Sequence, residues 1–74
     1  MDELWNARSI IQLLSADELT ALKSLIGGES LEVLALRTSI SLIEAADLQD
    51  SMKWKLGAVS NADAVRVGLM AGLG

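Results

Sequence analysis

The side chains that could do chemistry in this 74-residue chain are ten carboxylates and six cations; histidine and cysteine are both absent. Without histidine the chain lacks the commonest general base and metal ligand, and without cysteine it has neither a thiolate ligand nor a disulfide. Two carboxylate pairs are adjacent in sequence, Asp2-Glu3 and Asp17-Glu18, and three more acids, Glu44, Asp47 and Asp50, recur at three-residue spacing. Paired acids can act as general acid and base. Here the adjacent pairs fall at expected helix starts, where the positive end of the helix dipole accounts for them. No glycine-rich phosphate loop, metal-ligand cluster or nucleophile beside a base is found. The chain is therefore read as non-enzymatic, with no cofactor and no metal.

The charge balance bears on partners. Net charge is −4 and the isoelectric point is about 4.5, so nucleic acid and anionic membrane repel the chain unless a local basic patch overrides the average. The opening Met1-Asp2-Glu3-Leu4-Trp5 lacks the basic stretch of a secretory signal. No uninterrupted apolar run approaches the roughly 20 residues that span a bilayer. The expected location is the cytoplasm, with no membrane contact. Hydrophobic residues make up 51% of the chain but aromatics only 3%. A chain this short buries a modest core. An excess of aliphatic residues then predicts apolar surface left for a partner, in a homodimer or a complex.

The elements that position these groups are predicted to be helices joined by short connections. Leu4, Ala7, Ile11 and Leu14 form one apolar stripe, so residues 1–14 are read as an N-terminal helix or arm, either free or packed on the rest. Ser15-Ala16-Asp17-Glu18 is a capping box, and Leu19, Leu22, Leu25 and Ile26 form the core face of the helix it opens; Gly27-Gly28 stops it. Ser30 caps a short helix from Leu31 to Arg37. Thr38-Ser39-Ile40-Ser41 reads as a turn, rich in residues that disfavour helix interiors. Ser41 caps a longer helix to about Leu56, with Ala45, Leu48, Met52 and Leu56 facing inward and Gly57 closing it. Ser60-Asn61-Ala62-Asp63 repeats the cap with Asp in place of Glu. A last helix runs to about Ala71, with Val65 and Leu69 as its clearest apolar pair. No strand periodicity persists.

Several short motifs stand in one register: Leu14-Ser15 with Glu18 and Leu22, Gly28 ahead of Ser30, Leu34-Ala35, Ile40-Ser41, Lys55-Leu56-Gly57, and Ala62-Asp63-Ala64-Val65-Arg66 followed by Gly72-Leu73. From Leu14 to Leu73 this order resembles the LuxR/GerE-type helix-turn-helix domain, the DNA-binding end of many bacterial regulators. The resemblance implies an all-α, four-helix helix-turn-helix bundle over residues 15–74, preceded by the extra N-terminal helix. It makes the helix after Ser41 the recognition helix and the last helix the usual dimerisation element, here through Ala62, Val65 and Leu69.

The departures from that family shape the functional expectation. Leu42, Ile43, Glu44, Ala46, Leu48 and Gln49 occupy positions where the family commonly carries Lys, Thr, His and Arg. From Ser41 to Met52 there are three acids and no Lys or Arg, a local charge of −3. Most affinity for DNA comes from cations that displace counterions, and an acidic helix in the major groove is repelled by both phosphate backbones. The turn also differs, with Thr38-Ser39 where the family has Leu followed by Gly, Asn or Asp.

The reading is a small regulator that meets a protein through Leu42, Ile43, Glu44, Ala46, Asp47, Asp50 and Trp54. The partner would be a LuxR-type regulator or another component of transcription or signalling. Against it stand a merely solvated acidic face, and a Trp54 packed under the N-terminal helix near Trp5. The alternative function is DNA binding, with Arg37, Lys53, Lys55 and Lys23 on phosphates and Ser39, Ser41 and Gln49 as polar contacts. The chain would then be a transcription regulator or the DNA-binding end of a longer response regulator; Met1 and the distinct N-terminal segment favour a small intact protein.

Overall fold

The computed structural model describes residues 8–73, and among them the chain is all-helical. Residues 8–11 are helical, and four helices follow: α1 (Ala16–Ile26), α2 (Leu31–Thr38), α3 (Leu42–Leu56) and α4 (Asn61–Met70). Each of the four begins at the serine expected to cap it. The hydroxyls of Ser15, Ser30, Ser41 and Ser60 accept from the amides of Glu18, Val33, Glu44 and Asp63, satisfying donors that the first helical turn leaves without partners. In α1 and α3 the third-position glutamate returns the bond to the cap amide, Glu18 to Ser15 at 2.8 Å and Glu44 to Ser41 at 3.0 Å. The shorter Asp63 reaches instead to the Val59 amide at 3.2 Å. Ser60 there has φ −155°, against −69°, −73° and −70° at the other three caps.

The exits are equally uniform. After each helix one residue takes the left-handed conformation: Gly28, Ser39, Gly57 and Gly72. In each case the next amide folds back five residues along the chain, as in Ile40 to the Ala35 carbonyl at 3.1 Å and Ala58 to the Lys53 carbonyl at 2.9 Å. Ser39, with φ 57°, is the one non-glycine in this role. The turn between α2 and α3 is thus three residues, Ser39-Ile40-Ser41, and Ile40 points into the core.

Helix α1 touches all three other helices. It separates two clusters of apolar side chains. Ala21, Leu34, Ala35 and Ala45 join α1, α2 and the start of α3; Leu22, Met52, Leu56, Ala64 and Val67 join α1, the end of α3 and α4. Ile10, Ile11 and Leu14 pack on the second cluster, so the described part of the N-terminal segment is docked rather than free. Leu4, Trp5 and Ala7 lie outside the described residues.

Two expected core faces shift. In α1 the buried residues are Glu18, Ala21, Leu22 and Ser24, while Leu19, Leu25 and Ile26 are half-buried, because neighbours on several sides cover more than one stripe. In α4 the buried residues are Ala64, Val67 and Gly68; Val65 is half-buried and Leu69 is 53% exposed. Gly68 sets that rotation. A β-carbon there would lie 2.6 Å from Ile26 Cδ1, so α4 presents its glycine edge to α1 and turns Leu69 outward. Among the described residues no helix is long and apolar enough to cross a membrane.

Candidate functional site

The exposed side of α3 follows from its length and phase. Ala45, Met52 and Leu56 are buried and Leu48 is half-buried, which fixes the inward direction. At about 100° per residue, the opposite direction carries Ile43, Asp47, Asp50 and Trp54, spaced four, three and four apart. Ile43 is 76% exposed and Trp54 83%, and both aspartates are exposed. One face of the helix therefore bears two carboxylates between two large apolar side chains. Leu36, in the last turn of α2, is 80% exposed, and Leu42, at the start of α3, 48%. Apolar surface thus continues across the Ser39-Ile40-Ser41 turn.

Not every residue expected on this face lies on it. Ala46 is half-buried along the flank of α3, as is Gln49, expected only as a polar contact to DNA. Glu44 is exposed, but its carboxylate turns back to cap its own helix, and the Ser41 amide and hydroxyl hold it below the usual carboxylate range. Its charge is spent on the helix start. The S-x-x-E spacing that identified Ser15–Glu18 recurs at Ser41–Glu44 and was the available signal. Trp54 is 83% exposed; its expected neighbour Trp5 and the start of the N-terminal segment lie outside the described residues.

Three of the four cations nominated for DNA meet a carboxylate. Arg37 donates to Glu29. Lys53 stands 3.7 Å from Asp50. Lys55 donates to Glu18 at 2.7 Å. Lys23, on α1, is exposed and lines a cavity of about 330 Å³ with Thr20, Ser24, Gly27 and the Glu29–Arg37 pair. Ser39 and Ser41 are exposed but serve as helix end and helix start. On α4, Arg66 donates to Asp63 at 3.1 Å.

The Glu18–Lys55 contact belongs to a node that sequence reasoning reduced to a helix cap. Glu18 is 4% exposed and accepts from the Ser15 amide, the Ser51 hydroxyl at 2.6 Å and the Lys55 ammonium. Burial by itself raises its pKa. Lys55, then the Ser15 amide and the Ser51 hydroxyl, outweigh that and bring it to about 2. The sequence did carry a signal, since Glu18 shares a helical face with Ala21, Leu22 and Leu25. The node ties one flank of α3 to α1 and leaves the Ile43–Trp54 face outward.

Ala62, Val65 and Leu69 form a second outward stripe, on α4, with Ala62 exposed, Val65 half-buried and Leu69 exposed. Among the described residues no group of three or more acids is arranged to hold a metal ion. Comparison of the chain with protein-family models, with curated proteins and with solved structures finds no match in any of the three.

Proposed function

We propose that this chain is a LuxR/GerE-like helix-turn-helix module that regulates transcription or signalling through protein contact, with α3 meeting a protein where its counterpart would meet DNA. It acts in the cytoplasm as a binding module and not as an enzyme. Two features support the helix-turn-helix part. The α2–α3 connection is three residues long, the length such motifs use. Ser39 adopts the left-handed conformation that the family's Gly, Asn or Asp would take there.

The observation that carries the functional part is the state of the charges on and around α3. Arg37, Lys53 and Lys55 are each within ion-pair distance of a carboxylate of this chain. The outward face offers Asp47 and Asp50 flanked by Ile43 and Trp54. Phosphate binding needs cations able to release counterions, whereas exposed Trp and aliphatic side chains are the usual anchors of protein interfaces. The proposal includes a homodimer through Ala62, Val65 and Leu69 of α4, which would leave both α3 faces available.

The test has two arms. Titration of duplex DNA at low ionic strength, where counterion release is strongest, should give no saturable binding; tight binding with a steep salt slope would establish the DNA-reading function instead. Affinity capture from the cell extract of the source should then compare the native chain with an Ile43→Asp, Trp54→Ala variant. A protein retained by the first and lost by the second is the expected result. Identical captures would show that this face is only solvated surface.

A further inference from the structure

The charges that argue against DNA also narrow the class of protein that can cover α3, if the reading above holds. From Ile43 to Trp54 the outward face is about 16 Å long at 1.5 Å rise per residue, and Asp47 and Asp50 sit about 5 Å apart along its middle. Asp50 has Lys53 at 3.7 Å, a long contact with its side chain still 76% exposed. Asp47 makes no ion pair among the described residues. Covering this face would strip water from two carboxylates, and a neutral apolar surface could not compensate them.

A second copy of the chain is a poor occupant. On this face a copy would set its own Asp47 and Asp50 against the same pair, like charge on like, and four of its cations, Arg37, Lys53, Lys55 and Arg66, already have carboxylate partners. A duplex repels the face for the same reason.

We infer that the Ile43–Asp47–Asp50–Trp54 face docks a cationic protein surface, with Lys or Arg side chains opposite the two aspartates and an apolar pocket at each end for Ile43 and Trp54. Trp54 adds a second attraction, because a guanidinium can lie on the indole face. Charge pairs of this kind steer encounter and select the partner, while the buried ring supplies affinity.

Trp54 is also the reporter for the experiment. With Trp5→Phe, indole emission comes from Trp54 alone. The probe is a helical peptide with leucines one face apart and arginines between them; its companion carries glutamates in place of the arginines. The basic peptide should shift Trp54 emission to the blue and saturate. Its affinity should fall by at least about tenfold between roughly 0.05 and 0.5 M salt. Asp47→Asn with Asp50→Asn, on an exposed face where the fold does not depend on them, should weaken it by about tenfold as well. Equal responses to the two peptides, or none to either, overturn the inference. So does a captured partner that is lost with Ile43→Asp, Trp54→Ala yet binds the double Asn variant as tightly as the native chain; that result leaves the protein-contact reading standing.

Discussion

Glu18 is the polar tie between α1 and α3. Its carboxylate is buried, ionised and held by three donors, two of them from α3. Breaking a buried ion pair by removing one member leaves the other poorly compensated, and costs about 3–5 kcal/mol when both are buried. Here Lys55 keeps 36% side-chain exposure, so the loss belongs at or below the lower end.

The pH dependence follows from the sign of the shift. The folded-state pKa of about 2 lies below the ordinary 4.5, so the stabilisation is complete above about pH 4.5 and lost as pH falls toward 2. Glu18→Gln keeps the cap and the Ser51 contact but removes the charge. Its unfolding free energy at pH 7 should be lower by about 2–3 kcal/mol, and the acid-induced loss between pH 4.5 and 2 should shrink correspondingly. Denaturant titrations at several pH values measure both. Glu44 and Asp63 are also held below their ordinary values by amides at helix starts, so some acid sensitivity will persist in the variant.

At the scale of elements, the four helices share one grammar: serine at the entry and a left-handed residue at the exit. Ser39 departs from it, because an L-residue in that conformation is disfavoured by about 1–2 kcal/mol while its counterparts Gly28, Gly57 and Gly72 pay no such cost. Ser39→Gly should therefore stabilise the chain by roughly 0.5–1 kcal/mol after the extra entropy of glycine in the unfolded chain is subtracted. For a domain of this size that raises Tm by about 3–6 °C in thermal unfolding followed by circular dichroism. A decrease would show that the Ser39 hydroxyl contributes something to the turn beyond its backbone conformation.

On the scale of the whole molecule, the core is built from few large side chains. Leu22, Leu34 and Met52 are the largest that are fully buried, and much of the remainder is alanine. Helices therefore approach closely, most of all where Gly68 meets Ile26 and Leu22, and apolar residues beyond what this core can hold stay outside: Leu36, Ile43, Trp54, Val59 and Leu69. The proposed dimer uses the last of these. Leu69→Asp places a charge on a half-exposed site and should leave the helical spectrum intact while raising the dimer dissociation constant at least about tenfold. Sedimentation equilibrium measures it. A native chain that stays monomeric at high concentration would remove α4 as an assembly surface without touching the proposal for α3.

What the amino-acid order determined unaided was the local part: where each helix starts and stops, that the chain is all-helical among the described residues, and that the α3 segment is acidic. Caps and stops act within three to five residues, so Ser15, Ser30, Ser41 and Ser60 declare themselves without any tertiary partner. Only the folded structure decided which charges remain available. Lys55 and Glu18 are 37 residues apart in sequence and 2.7 Å apart in space, and α4 turned Leu69 outward because Gly68 sits against α1. Whether a charged or apolar group is engaged or exposed depends on contacts between helices, and those arise from packing that no local pattern encodes.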